Sequence, residues 1–234
     1  MLPVAILAGG LATRLRPITE TIPKALVDVA GTPFICRQLD YLRQQGVTRV
    51  VLCVGYLGEL IEAVVGNGER FGLEVLYSFD GPVLLGTGGA LKQALPLLGE
   101  RFFVLYGDSF LPVEFAPVKD SFLQSGKSAL MTILQNANRW DKSNVLFRDG
   151  ELIEYNKQSP RPEMAFIDYG LGVLSSRVLA AYPSQQVFDL AQVYHALSLE
   201  GQLAGYEVHE RFYEIGSHSG LKEAEEYFSM KGKA

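Results

Sequence analysis

Two glycines at the end of a short apolar run, followed closely by two cations, form a pattern that can hold phosphate. Gly9-Gly10 directly follows the stretch Val4 to Leu7, and Thr13, Arg14, Arg16, Pro17, Thr19 and Pro23-Lys24 come next. Glycine lets a backbone approach a ligand and turn its N–H groups inward. Arg14 could then grip phosphate oxygens with its planar fork, and Lys24 adds a compact point charge. A tight surface turn would have the same residues. The chain has no GxGxxG after this strand and no GxxxxGK[ST], so the dinucleotide and P-loop signatures are absent. A second candidate is Asp108, in Gly107-Asp108-Ser109 at the end of the apolar run FFVLY. Ligands of open α/β sheets sit at the carboxyl ends of strands, and one or two carboxylates plus substrate phosphates are the usual holders of Mg²⁺. An Asp there could equally cap a turn. A third is the glycine cluster Gly86-Thr87-Gly88-Gly89-Ala90-Leu91, which also suits an ordinary helix start.

Other chemistry finds little support. His195, His209 and His218 lie at no ligand spacing and suit surface or helix-end roles, and Cys36 and Cys53 lack CxxC spacing and read as core thiols. Trp140 and the Tyr and Phe residues are too dispersed for a base-stacking platform, which leaves core packing.

The elements that must position these groups follow from hydrophobic period. Apolar residues at helical spacing mark helices at 33–45 (Ile35, Leu39, Leu42), 57–65 and 88–98, between strands at 4–7, 49–54, 73–78 and 102–106. Such alternation implies a mostly parallel sheet covered on both faces. From residue 129 the pattern changes to ALMTILQ, NVLF, ELIEY and AFIDYGLGVLS, strands with few helices between them, for which we expect an antiparallel lobe packed against the sheet. Helices return at 176–182, 189–200 and 218–230. The expectation is a single domain over 1–234, with an alternating strand–helix part at 1–128 and a second part with the antiparallel strands and C-terminal helices at 129–234.

The chain of 234 residues is 48% hydrophobic and 20% charged, with net charge -5, which suits one globular domain. It contains no apolar run of membrane-spanning length, and its start has neither a basic n-region nor a cleavage site, so we expect a cytoplasmic protein without a membrane partner. The acidic total argues against nucleic acid as a partner. Residues 1–50 nevertheless carry six cations and three acids, net +3, which leaves -8 for the remainder. A basic site on an acidic body suits a small anionic ligand.

The segment LAGGLATRLRPITETIPKALVDVAGTP, residues 7–33, resembles the N-terminal signature of the sugar-1-phosphate nucleotidyltransferases, or NDP-sugar pyrophosphorylases. Gly9, Gly10, Arg14, Leu15, Pro17, Thr19, Pro23, Lys24, Gly31 and Pro33 carry the match, which extends more loosely to about residue 228. The resemblance implies a Rossmann-like, glycosyltransferase-A-type α/β fold with a small antiparallel sugar-binding lobe. It also implies the reaction NTP + sugar 1-phosphate giving NDP-sugar + pyrophosphate, with Mg²⁺. By the same resemblance Arg14, Lys24 and Asp108 are the catalytic residues, and Leu7, Ala8, Gly9, Gly10, Thr13, Arg14, Lys24, Gly86, Thr87 and Gly88 bind nucleotide. Asp80 and Gly81 occupy the region where relatives vary with base choice. Asp108 matches the family's metal aspartate, and Glu214, in Tyr213-Glu214-Ile215-Gly216-Ser217, replaces the second. Relatives bind sugar with a Glu-Lys pair and an Asn-Ala-Gly-like segment, for which this chain offers Glu154, Lys157 and Asp168. LGTGGAL is most similar to the heptose and mannose 1-phosphate guanylyltransferase branch, which leans the expectation towards GTP. A UTP- or CTP-using relative, including a phosphocholine or phosphonate cytidylyltransferase, and a non-catalytic nucleotide-sugar-sensing subunit stay open, as does pairing into a homodimer.

Overall fold

The computed structural model describes residues 1–136, 139–140 and 142–231. The chain enters through β1 (Val4–Leu7), passes three short 3-10 turns over Thr13–Leu15, Ile18–Glu20 and Lys24–Leu26, and makes a small hairpin of β2 (Asp28–Val29) and β3 (Thr32–Pro33). Helix and strand then alternate through α1 (Phe34–Gln44), β4 (Arg49–Val54), α2 (Gly58–Val65), β5 (Glu74–Phe79), α3 (Gly86–Leu98) and β6 (Arg101–Tyr106). Next come β7 (Ser109–Phe110), α4 (Phe115–Ser125), β8 (Ala129–Gln135), β9 (Val145–Arg148), β10 (Glu151–Tyr155) and β11 (Phe166–Ser175). The chain closes with α5 (Ser176–Ala180), α6 (Leu190–Leu199), β12 (Leu203–Val208), β13 (Tyr213–Glu214) and α7 (His218–Lys231).

Local sequence explains the boundaries. α1 begins after Pro33, and Ile35, Leu39 and Leu42 bury one stripe of it. It stops where Gly46 takes φ +75°, its N–H bonding the carbonyl of Arg43 while the N–H of Val47 bonds that of Leu42. This is the paired-carbonyl helix stop that glycine favours. In the strands the period is two. Val4 and Ile6 of β1, Val50, Leu52 and Val54 of β4, and Phe103 and Leu105 of β6 face α1, α2 and α4. Ala5, Val51, Cys53, Phe102 and Val104 face α3, α5 and α6 on the other side.

Among the described residues, nine strands form one sheet. Along β6-β1-β4-β5 all pairings are parallel, and β11 then pairs antiparallel with β6 over Leu171 to Ser175. The antiparallel strands therefore continue the sheet edge to edge, where a lobe packed against it had been expected. β11 also pairs with β8 and touches β9, β9 pairs with β10, and β12 runs parallel to β8. Because β4 and β5 go to one side of β1 and β6 returns to the other, the strand order reverses between β1 and β6, which opens a crevice at their carboxyl ends. No helix among the described residues is long and apolar enough to cross a membrane.

Candidate active site

The loops leaving β1 and β6 open into that crevice. Between them lies a cavity of about 260 Å³, walled by Leu7, Ala8, Gly9 and Gly10 from the first loop, Gly107 and Asp108 from the second, and Lys24, Asp80, Gly86 and Thr87 around them. Glycine suits position 9 because a Cβ there would stand 3.0 Å from the amide nitrogen of Gly55, closer than ordinary contact, so the facing backbone would have to give by a few tenths of an ångström. A second cavity of about 360 Å³ opens on the antiparallel side, lined by Arg14, Lys157, Asp168 and Glu214 among others. Tyr106 and Asp108 belong to both walls. A ligand in either cavity thus meets Asp108.

Lys24 donates from Nζ to Asp108 Oδ2 at 2.7 Å, and the two side chains are 19% and 26% exposed. The other carboxylate oxygen accepts from Ser109 Oγ at 3.2 Å. Glu214 reaches the same place because β13 pairs with β7, setting it opposite Ser109, with the N–H of Ile215 on the carbonyl of Asp108 at 2.9 Å. Among the described residues no group of three or more His, Cys, Asp or Glu side chains could hold a metal by itself. Two nearby carboxylates fit the kind of site in which one or two protein oxygens are completed by water and substrate phosphate.

Gln38 of α1, 2% exposed, is a part the sequence reading missed. Its Nε2 donates to the carbonyls of Tyr106 at 2.9 Å and Ser109 at 2.7 Å, bracing the turn that carries Asp108. A lone amide inside an amphipathic helix gives no sequence sign of such a role.

Arg14 does not line the smaller cavity beside Gly9-Gly10. It stands on the wall of the larger one, with Nη2 3.2 Å from where a Cβ on Gly216 would be and the Glu214 carboxylate beside that same point. Thr13 lines neither cavity. Asp80 is half-buried against Gly9 and Gly55 and accepts the N–H of Leu85 at 3.1 Å. Burial raises its carboxyl above the usual range, the Leu85 bond opposing. Gly86 and Thr87 face the smaller cavity, whereas Gly88 is turned away from it towards Phe188.

On the larger side Lys157 and Asp168 line the wall together. Asp168 accepts the N–H of Gly170 at 3.0 Å, at a register shift in β11 where Gly170 takes φ +106°. Burial pushes its carboxyl up to about 6 despite that bond and the charge of Lys157. Glu154 points elsewhere, to Arg161 at 2.5 Å and the amide of Asn156 at 3.3 Å, and is not part of this wall. Trp140 packs against the core beside Phe212, as expected, and also lines this cavity, with the guanidiniums of Arg139 and Arg211 5.1 and 5.8 Å from its ring centre. Arg211 also pairs with Glu223 at 2.5 Å.

Both cysteines are free and buried, and burial pushes the Cys53 thiol up to about 12. His209 is exposed and His218 begins α7, while His195 sits within α6 and donates from Nδ1 to the carbonyl of Tyr155 at 2.6 Å.

Known proteins carry the same framework. The nucleotidyl transferase family model matches residues 4–143. The N-acetylmuramate alpha-1-phosphate uridylyltransferase of Neisseria meningitidis serogroup B is 32% identical over 226 residues, covering 94% of this chain and 95% of that one. The mannose-1-phosphate guanyltransferase beta-A of Xenopus laevis is 30% identical over 218 residues, 90% of this chain, which spans only 60% of that relative. Among solved structures, HddC of Yersinia pseudotuberculosis complexed with GMP-PN is 26% identical with TM-score 0.80, covering 97% of this chain and 100% of that one. With the family's signature loop at a strand-order reversal and its model matched over most of the chain's first 143 residues, the chain belongs to the nucleotidyl transferase family.

Proposed function

We propose that the chain condenses a nucleoside triphosphate with a sugar 1-phosphate, releasing pyrophosphate and forming an NDP-sugar. The observation that carries this is the shared wall: two cavities, one walled by glycine loops and one by mixed charges, meet at Asp108. The smaller takes the nucleotide and the larger the sugar phosphate.

A sugar-phosphate oxygen attacks the α-phosphorus in line as pyrophosphate leaves. That oxygen is ionised at neutral pH, so no general base is needed, in keeping with the absence of a histidine from both cavity walls. Catalysis then consists of positioning and charge stabilisation. The amides of the 9–14 loop hold the β- and γ-phosphates. Arg14 stands on the wall of the larger cavity beside Glu214, so it takes charge on the departing pyrophosphate only by turning its side chain towards the 9–14 loop when the nucleotide binds. Lys24 neutralises Asp108 in the free chain and turns its charge to the α-phosphate once nucleotide arrives. Asp108 and Glu214 would hold Mg²⁺, which supplies further stabilisation to the phosphate oxygens. Lys157 meets the sugar phosphate and Asp168 accepts sugar hydroxyls.

For the base, Asp80 supports guanine. Guanine presents N1–H and N2–H side by side, a pair that one carboxylate can accept, whereas uracil offers a single N–H. For the sugar we take the mannose or heptose kind, mannose being what the guanyltransferase relative of Xenopus laevis is named for. UTP is the second reading, favoured by the uridylyltransferase that is 32% identical across nearly the whole chain. The test is a pyrophosphate-release panel crossing GTP, UTP, CTP, ATP and dTTP with mannose, heptose, glucose and N-acetylmuramate 1-phosphates, with and without Mg²⁺. Release that needs both substrates and the ion is expected, fastest with GTP. Tight nucleotide binding with silence across the panel would replace this reading with that of a sensing subunit.

A further inference from the structure

The glycine-rich start of α3 is a socket for another stretch of chain. A Cβ on Gly86, whose φ is +73°, would stand 2.6 Å from the carbonyl oxygen of Phe188, and one on Gly89 2.5 Å from that of Gln186. One on Gly88 would run into the Phe188 ring. The space those glycines leave is filled by residues 186–189. The carbonyl of Phe188 accepts the N–H groups of Gly88 at 3.0 Å and Gly89 at 3.3 Å, and its own N–H bonds the carbonyl of Leu85 at 3.1 Å. Two amides of the kind a helix start leaves without an intrahelical partner are therefore taken up by the chain itself.

Asp189 completes the hold. Its Oδ1 accepts from Thr87 Oγ1 at 2.8 Å and from the N–H of Ala191 at 2.9 Å, while the N–H of Leu190 donates to Thr87 Oγ1 at 2.8 Å. The Thr87 hydroxyl both donates and accepts within this brace. Thr87 and Gly86 nonetheless form a wall of the smaller cavity, so the brace fixes that wall. Beyond Asp189, α6 packs on β10, where Ser198 Oγ accepts the N–H of Tyr155, a residue of the larger cavity's wall, at 3.1 Å and His195 holds its carbonyl.

We propose that Gln186–Asp189 is a strap that sets the wall of the nucleotide cavity, with Asp189 as the positioning residue for the triphosphate substrate. This rests on the reading that the smaller cavity takes the nucleotide. The experiment compares wild type, Asp189→Ala, Asp189→Asn and Thr87→Val by KM for each substrate, by direct titration with GTP and UTP, and by thermal melting. Loss of preorganisation should raise KM and Kd for the nucleotide about tenfold in Asp189→Ala, with KM for the sugar phosphate within about twofold. Asp189→Asn, whose side-chain oxygen still accepts both bonds, should stay near wild type, and Thr87→Val should resemble Asp189→Ala. A lowered melting temperature with unchanged nucleotide KM would reduce Asp189 to a plain helix cap and overturn the strap, as would equal rises in both KM values. If wild type itself binds neither nucleotide, the functional reading fails and takes the strap's role with it. If wild type binds and the alanine variant binds equally well, the strap alone fails.

Discussion

Lys24 and Asp108 share charge across 2.7 Å, and the same two groups are the ones proposed to manage phosphate and cation. Lys24→Ala should lower kcat by about 10² to 10³, the usual cost of one preorganised charge donor, with the far-ultraviolet circular dichroism unchanged. Asp80→Asn should lower kcat/KM for GTP by about tenfold or more while UTP, which needs one acceptor, changes less, because a carboxylate accepting two bonds becomes a group that also donates. For Asp168 the sign follows from burial. Its carboxyl is raised to about 6, so the charged form, which we propose accepts sugar hydroxyls, gains population as pH rises through that value. KM for the sugar phosphate should fall between about pH 5 and 7. The substrate phosphate titrates in the same window, so the readout is the difference from Asp168→Asn, in which the protein's share of the step disappears. The same raised value means that Asp168 contributes most to stability below its ordinary 3.8 and loses that contribution as pH rises through about 6. Equal pH profiles for the two proteins would remove Asp168 from sugar recognition.

At the scale of elements, Gln38 makes α1 more than a cover for the sheet. Gln38→Leu keeps the apolar fit but strips one buried and one half-buried carbonyl of their donor, at about 1 to 3 kcal/mol by urea unfolding. It should also lower kcat, since the Asp108 turn loses its brace, and an unchanged kcat would show that the turn holds itself. Regular periods made much of this legible from sequence. β4, β8 and β10 fall on the residues where alternating or continuous apolar runs placed them, and α1 shifts by one residue at each end. Helix α4 was passed over because Pro117 in its first turn masks the pattern of Phe115, Val118 and Phe122, although proline is tolerated there. Strand β12 was passed over because Gly205 breaks its run; a Cβ there would stand 2.9 Å from the Phe147 ring, a constraint that no local pattern carries.

Over the whole molecule, the reversal of strand order between β1 and β6 does what neither half of the chain can do alone. It sets the basic first fifty residues against acids from positions as distant as Glu214, and so makes one crevice of two cavities. The smaller cavity was partly readable because Gly9, Gly10 and Asp108 sit just past the ends of β1 and β6, strands that the sequence marks, whereas Lys24 reaches it from a 3-10 turn. The larger cavity was not, because Trp140, Arg211 and the turn of Glu154 towards Arg161 depend on long-range folding and on no local spacing. Stability and chemistry should separate at this scale. Leu39→Ala, in the core on the α1 face, should cost about 2 to 5 kcal/mol in unfolding free energy yet leave kcat near wild type at low temperature. The most direct measurement is a crystal structure of the chain soaked with GTP, Mg²⁺ and mannose 1-phosphate. Triphosphate density is expected over Gly9-Gly10 within reach of Lys24, and sugar-phosphate density against Lys157 and Asp168, the two meeting at Asp108. Triphosphate lying away from Lys24 and Asp108, or both ligands crowded into one cavity, would contradict this expectation.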